Sequence, residues 1–252
     1  LEEVLETHEM PLKSYLIEIS GKVAAAQDPE TGQPMLDVIV DAAGQKGTGR
    51  WTVIEAQHLA APIPAIEAAV VARNLSSKRE ARSAGEDLFG TAPRRMPHET
   101  LSLATLESAL MVGKVLCYAQ GFEMIAKASD DYGWTLPLPE IAEVWREGCI
   151  IRSDMLDDMA TALRDDTGRN LMMAPKFARI LKESHGALRQ TVAQAALHGL
   201  ALPALSSGLA YFDAMRTARG TANMIQGQRD FFGAHGFARI DGGDGHHGPW
   251  GS

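Results

Sequence analysis

Residues 99–131 read ETLSLATLESALMVGKVLCYAQGFEMIAKASDD, and this run decides the fold. Leu103, Leu106, Leu110, Val112, Val115, Leu116, Phe122, Met124 and Ile125 recur at helical spacing. The small residues Ala109, Gly113, Ala119 and Gly121 stand among them. Apolar side chains fall on most faces, which predicts a helix buried through the middle of a bundle. Lys114, Tyr118 and Gln120 interrupt it. They are expected as snorkelling or capping groups at the bundle surface.

The segments on either side repeat the helical pattern. Before the central run, residues 1–26 read as helix with a break at Pro11, and residues 28–34 as a turn cluster. Residues 35–40 are apolar but too short to separate strand from helix. Helices are expected over 51–59 and 65–84, then a proline-containing loop over 90–98. After the run, helices are expected over 140–164, 175–181, 187–200, 203–219 and 222–234. A glycine-rich tail, 237–252, ends the chain. The fold class is all-α: a helical domain over 1–236 followed by an extended tail.

The two flanks resemble one another. Thr52 and Thr191, Pro64 and Pro203, and Ser14 and Ser153 each lie 139 positions apart. The Thr31-Gly32 and Thr167-Gly168 turns lie 136 apart. A duplicated helical unit, about 4–82 and 143–219, around the long central helix is the economical reading.

Composition narrows the function. The 252-residue chain carries a net charge of −8 without a block of like charges, which disfavours nucleic acid and anionic membrane as partners. No apolar run reaches membrane-spanning length and no signal peptide opens the chain, so a cytoplasmic location is expected. Cys117 and Cys149 fall in helical apolar patterns and are expected reduced and buried. The chain starts at a leucine in mid-helix pattern and reads as part of something longer.

Chemistry concentrates in Ala43-Gly44-Gln45-Lys46-Gly47-Thr48-Gly49-Arg50-Trp51-Thr52. Its glycines allow tight turns and close backbone approach. Lys46 and Thr48 supply an ammonium and a hydroxyl. A helix is expected from Trp51, and N–H groups at a helix start favour anions. A solvated turn is the alternative. A Walker A loop is not met, because Arg50-Trp51 stand where Lys and Ser/Thr belong. Other candidates are Arg73 in a largely apolar helix, and Arg229 with His235, the histidine following the expected C-cap glycine. The run Gly243-Asp244-Gly245-His246-His247-Gly248 matches a dinucleotide fingerprint in letters only, and no metal site is expected of His246-His247.

Together these segments resemble the C-terminal helical domain of the 6-phosphogluconate dehydrogenase family. The resemblance rests on Ser14-Tyr15-Leu16-Ile17-Glu18-Ile19, residues 41–52, Ala72-Arg73-Asn74-Leu75-Ser76-Ser77 and Tyr118-Ala119-Gln120-Gly121-Phe122. Gly148-Cys149-Ile150-Ile151-Arg152-Ser153, Ala222-Asn223 and the run from Gln228 to His235 complete it in order. It implies oxidative decarboxylation of 6-phosphogluconate to ribulose 5-phosphate with reduction of NADP, or NAD, in the pentose phosphate pathway. Lys46, Thr48 and Arg73 would hold the phosphate. Arg229 and His235 would reach the substrate of the other subunit in a homodimer with exchanged tails. The family's Rossmann domain, which holds most of the cofactor, and its lysine–glutamate pair are expected outside this chain, so no catalytic residue is assigned and this chain alone is expected to be inactive.

The chain departs from the family at Glu147, Asp154 and Arg219-Gly220-Thr221, and lacks a threonine after His247. Two competing readings stand beside the enzyme. One is a non-catalytic helical dimer that binds sugar phosphates; the other is a nucleotide-phosphate binder using the near-Walker loop.

Overall fold

The computed structural model describes residues 12–250, so the expected helix over the first residues and the Pro11 break lie outside the described residues. The elements are α1 (Tyr15–Ala25), α2 (Met35–Val38), α3 (Thr48–His58), α4 (Pro64–Ser76), α5 (Arg79–Phe89) and α6 (Leu103–Tyr132). Then come α7 (Leu138–Gly148), α8 (Met155–Asp165), a 3-10 turn (Leu171–Met173), α9 (Pro175–Leu197), α10 (Pro203–Met215) and α11 (Ala222–Gly233). Among the described residues, extended pairing is limited to isolated bridges. The chain forms two compact units, one up to Tyr211 and one from Phe212.

In the first unit α6 is the axis. Ser102 caps it by accepting from the Thr105 N–H, and Gly133 ends it in left-handed conformation (φ 66°). Val112, Val115, Leu116 and Ala119 are fully buried at helical spacing. α9 packs most extensively against this helix and contributes buried Phe177, Leu181 and Leu188. Gly113 permits the crossing with α10, because a Cβ there would lie 2.5 Å from Leu205 Cδ2.

The polar interruptions of α6 are not surface groups. Gln120 is fully buried and accepts the Ala65 N–H at 3.0 Å, capping α4 from inside. Lys114 donates to the Leu12 carbonyl (3.2 Å) and Ser153 Oγ (3.1 Å), and burial pulls its pKa down to about 8. Tyr118 donates to the Ile151 carbonyl. Lys114 and Tyr118 thus reach residues at or beside a short antiparallel bridge between Ser14 and Ser153. By length and composition α6 could cross a membrane, contrary to the sequence expectation that no run is long enough. In this fold, neighbouring segments engage its polar groups.

Several boundaries differ from expectation. The helix expected over 65–84 breaks after Ser76, where the Ser76 and Ser77 hydroxyls bond back to the Arg73 and Asn74 carbonyls. The one expected over 140–164 breaks at Cys149, where the chain turns (Arg152 N–H to the Cys149 carbonyl) and passes through Ser153 into the bridge with Ser14 before α8 starts. The two expected over 175–200 are one, α9, since buried Leu181 and Leu188 on either side carry Gly186 through. Helix α3 starts at Thr48, three residues before Trp51. The cysteines are free and partly, not fully, buried. Of the divergent residues, Asp154 lies 3.6 Å from Arg146 and 3.8 Å from Lys13, and Glu147 is exposed.

Helices α4 and α10 begin and end 139 positions apart, and the Ser14–Ser153 bridge pairs residues at the same spacing. The two carbonyls held by Lys114 and Tyr118, Leu12 and Ile151, share it.

Candidate functional site

The glycine loop is held against the C-terminal end of α4. Ala43 donates its N–H to Ser76 Oγ at 2.9 Å. Gln45 bonds Asn74, and Arg73 donates to the Gly44 carbonyl. Arg82, one turn into α5, reaches the Asp41 carbonyl (3.1 Å), the Ser76 carbonyl (3.2 Å) and the Asp41 carboxylate.

The loop then turns at Gly47 and enters α3. Gly47 has φ 112°, a region that favours glycine, and a Cβ there would sit 3.2 Å from the Trp51 ring. Gly49 brings α3 close to α4, since its Cβ would lie 3.1 Å from Val70 Cγ2. Two of the three glycines thus have local structural reasons. Thr48 is the first residue of α3, and Lys46 immediately precedes its Gly47 cap. Lys46, Thr48 and Arg73 are all exposed. The fold therefore brings an ammonium, a hydroxyl, a guanidinium and a helix N-terminus to one place, a donor set suited to a phosphate.

The second unit holds Arg229 and His235. Arg229 is exposed and donates to Gln226 Oε1 at 3.2 Å. Ala234, not Gly233, is the left-handed C-cap (φ 47°). Gly233 serves a different purpose: the His235 ring folds over it, and a Cβ there would lie 2.6 Å from His235 Nε2. That ring also meets Phe232 edge-on, centroids 6.0 Å apart.

Behind them lies Asp230, which sequence reasoning passed over. It is 3% exposed and accepts from the Gly236 N–H (2.9 Å), the Gly248 N–H (2.8 Å), Trp250 Nε1 (2.6 Å) and His247 Nδ1 (2.6 Å). The Gly248 N–H above all, with the others, holds its carboxyl far below the ordinary carboxylate range. Arg82 was also missed, because its charged stretch reads as a solvated face. For Asp230 the available signal was an acid followed by a tail rich in glycine N–H groups.

The family model described as 6-phosphogluconate dehydrogenase, C-terminal domain, matches residues 1–250. The chain is 45% identical over 232 residues to a decarboxylating 6-phosphogluconate dehydrogenase of Synechocystis, covering 91% of this chain and 48% of that protein. NAD(+)-dependent and NADP(+)-dependent decarboxylating relatives, both from Bacillus subtilis, are 41% and 42% identical, each over 91% of this chain and 50% of theirs. The chain thus spans about half the length of these relatives. A solved Plasmodium falciparum 6-phosphogluconate dehydrogenase, described in apo form and with its cofactor NADP+ and its substrate 6-phosphogluconate, superposes with a TM-score of 0.90. It is 36% identical, over 96% of this chain and 53% of its own. The chain belongs to the 6-phosphogluconate dehydrogenase family and corresponds to its C-terminal, all-helical domain.

Proposed function

We propose that this chain is the substrate-binding and dimerisation part of an enzyme that oxidatively decarboxylates 6-phosphogluconate. In that reaction a hydride leaves C3 for NADP, the 3-keto acid loses carbon dioxide, and ribulose 5-phosphate is formed. The observation that carries the reading is the loop held against α4, which gathers Lys46, Thr48 and Arg73 at the start of α3. A phosphate dianion needs several converging donors, and a chain of net charge −8 must concentrate cations locally to supply them.

Arg229 and His235 complete the pocket of the other subunit in a homodimer. The duplicated unit, read from the 139-residue spacing, gives α4 and α10 equivalent places in its two copies. The Gly243–Gly248 run does not fit a dinucleotide fingerprint. It lies at the end of a hairpin closed by the Phe237–His246 bridge, with no helix after it. No hydride or proton step is assigned to residues of this chain. Similarity does not choose NADP over NAD, since the two Bacillus relatives match about equally. The reading places the protein in the cytoplasm.

The test is turnover of 6-phosphogluconate by the full-length protein. Expected are coupled NADP reduction and carbon dioxide release, with KM for the sugar phosphate raised by Lys46→Ala and Arg73→Ala. Turnover unaffected by either substitution would return the loop to a solvated turn.

A further inference from the structure

The C-terminal tail is fastened to its own helix at a single buried carboxylate. Gln226 and Asp230 lie one turn apart on α11 and pin Gly236 from both sides. Gln226 Nε2 donates to the Gly236 carbonyl at 2.5 Å, and Asp230 accepts the Gly236 N–H. Gly236 is buried with φ 70°, and a Cβ there would sit 3.4 Å from Gly245 Cα.

From Gly236 the chain forms the hairpin, Phe237 and His246 exchanging N–H···O bonds of 2.9 and 3.0 Å. It returns to Asp230 through His247, Gly248 and Trp250. The Trp250 ring stacks over the α11 face opened by Gly227, 3.9 Å from where its Cβ would be, and lies 6.3 Å from the Phe231 ring. The two candidate substrate groups border this knot. Arg229 shares Gln226 with it, and His235 is bonded directly to Gly236.

We propose that Asp230 is a positioning residue that fastens the tail to α11 and thereby fixes Arg229 and His235 for the substrate. The proposal rests on the functional reading above for its substrate. Asp230 is 3% exposed and accepts four bonds from its own chain, so its proposed action on 6-phosphogluconate is through Arg229 and His235. On this view the exchanged element is α11 and the tail as one preformed piece, not a loose strand.

The experiment is Asp230→Asn in the full-length protein. Asparagine keeps the shape but replaces one acceptor oxygen with an NH2, so whichever way its amide turns, the backbone N–H of either Gly236 or Gly248 loses its acceptor. Amide exchange over residues 236–250, followed by mass spectrometry, should accelerate at least about tenfold, the scale of a lost charge-assisted hydrogen bond. KM for 6-phosphogluconate should rise roughly tenfold while KM for NADP stays put. Arg229→Ala should then add little in the Asp230→Asn background. Trp250→Phe, which deletes one donor and keeps an aromatic ring, should move both readouts in the same direction and decides the matter if Asp230→Asn is insoluble.

Unchanged exchange in the tail overturns the fastening. Faster exchange with unchanged KM and an intact Arg229→Ala effect overturns the positioning. If the wild-type protein fails to turn over 6-phosphogluconate, the functional reading falls and the positioning with it. The exchange measurement needs no substrate and decides the fastening independently.

Discussion

The glycine loop and the C-terminal tail are both irregular segments beside the proposed substrate groups, yet they are held in opposite ways. The loop is held by several side chains, all exposed except the half-buried Ser76. Arg73, Asn74, Ser76 and Arg82 each make a separate contact with it. The tail is held chiefly at one buried acceptor on which four donors converge, with Gln226 bonding the Gly236 carbonyl beside it. Exposed contacts are individually weak because water competes for both partners. A buried carboxylate has no such competitor, so losing its charge leaves several donors unsatisfied at once. The loop should therefore loosen by degrees and the tail should release as a unit.

The strongest challenge to this contrast is Arg73→Ala. Arg73 is the member of the loop set with two roles, an observed one in pinning the Gly44 carbonyl and a proposed one in binding the phosphate. Its removal should cost about 1.5–3 kcal/mol of substrate binding, ten- to a hundredfold in affinity by calorimetric titration of the full-length protein. Arg73→Lys keeps the charge but not the fork, and should fall between wild type and alanine. If lysine restores affinity fully, the pin on Gly44 is dispensable and the loop is stiffer than its contacts indicate.

A smaller effect is expected from Arg82→Gln. Arg82 and Asp41 form an exposed pair, 46% and 80% accessible, of the kind worth about 0.2–1 kcal/mol. KM for 6-phosphogluconate should rise by no more than roughly fivefold. Combining it with Asn74→Ala should give close to the sum of the two free-energy changes. A loss far beyond that sum would mean that the loop melts cooperatively, and the contrast with the tail would disappear.

What the sequence made legible follows the same divide. The course of α6 was readable because its apolar spacing extends over many turns. Lys46 and Thr48 stood out as candidates because a cation and a hydroxyl beside glycines are a local pattern, and Arg73 because it is a cation in a largely apolar helix. Arg82 and Asp230 were not, because their partners are distant in sequence and several of them are backbone groups, which carry no letter of their own. Asp230 meets Gly248 across 18 positions, and Arg82 meets Asp41 across 41. Lys114 and Gln120 were placed on the surface for a related reason. Composition does not reveal that a carbonyl at Leu12 and an N–H at Ala65 wait inside the bundle.

The smallest expected effect comes from acidification, and it separates the two regions without any substitution. Asp230 has a folded-state pKa below its unfolded value, which is about 3.9 for an ordinary aspartate. A depressed carboxylate contributes its full stabilisation above the unfolded value and loses it only as pH falls through the folded one. Between pH 7.5 and 5 the clasp should therefore not loosen. His247 can donate through Nδ1 to that carboxylate whether or not its ring carries the extra proton. The loop behaves differently, because a phosphate monoester passes from dianion to monoanion near pH 6 and then offers its cations less charge. Affinity for 6-phosphogluconate should fall across this range, while a 5-fluorotryptophan resonance assigned to Trp250 by Trp250→Phe should hold its position in ligand-free protein. A Trp250 resonance that titrates between pH 5 and 7 would mean that the charge on His247, rather than the carboxylate of Asp230, governs the clasp, and the tail would no longer be the rigid member of the pair.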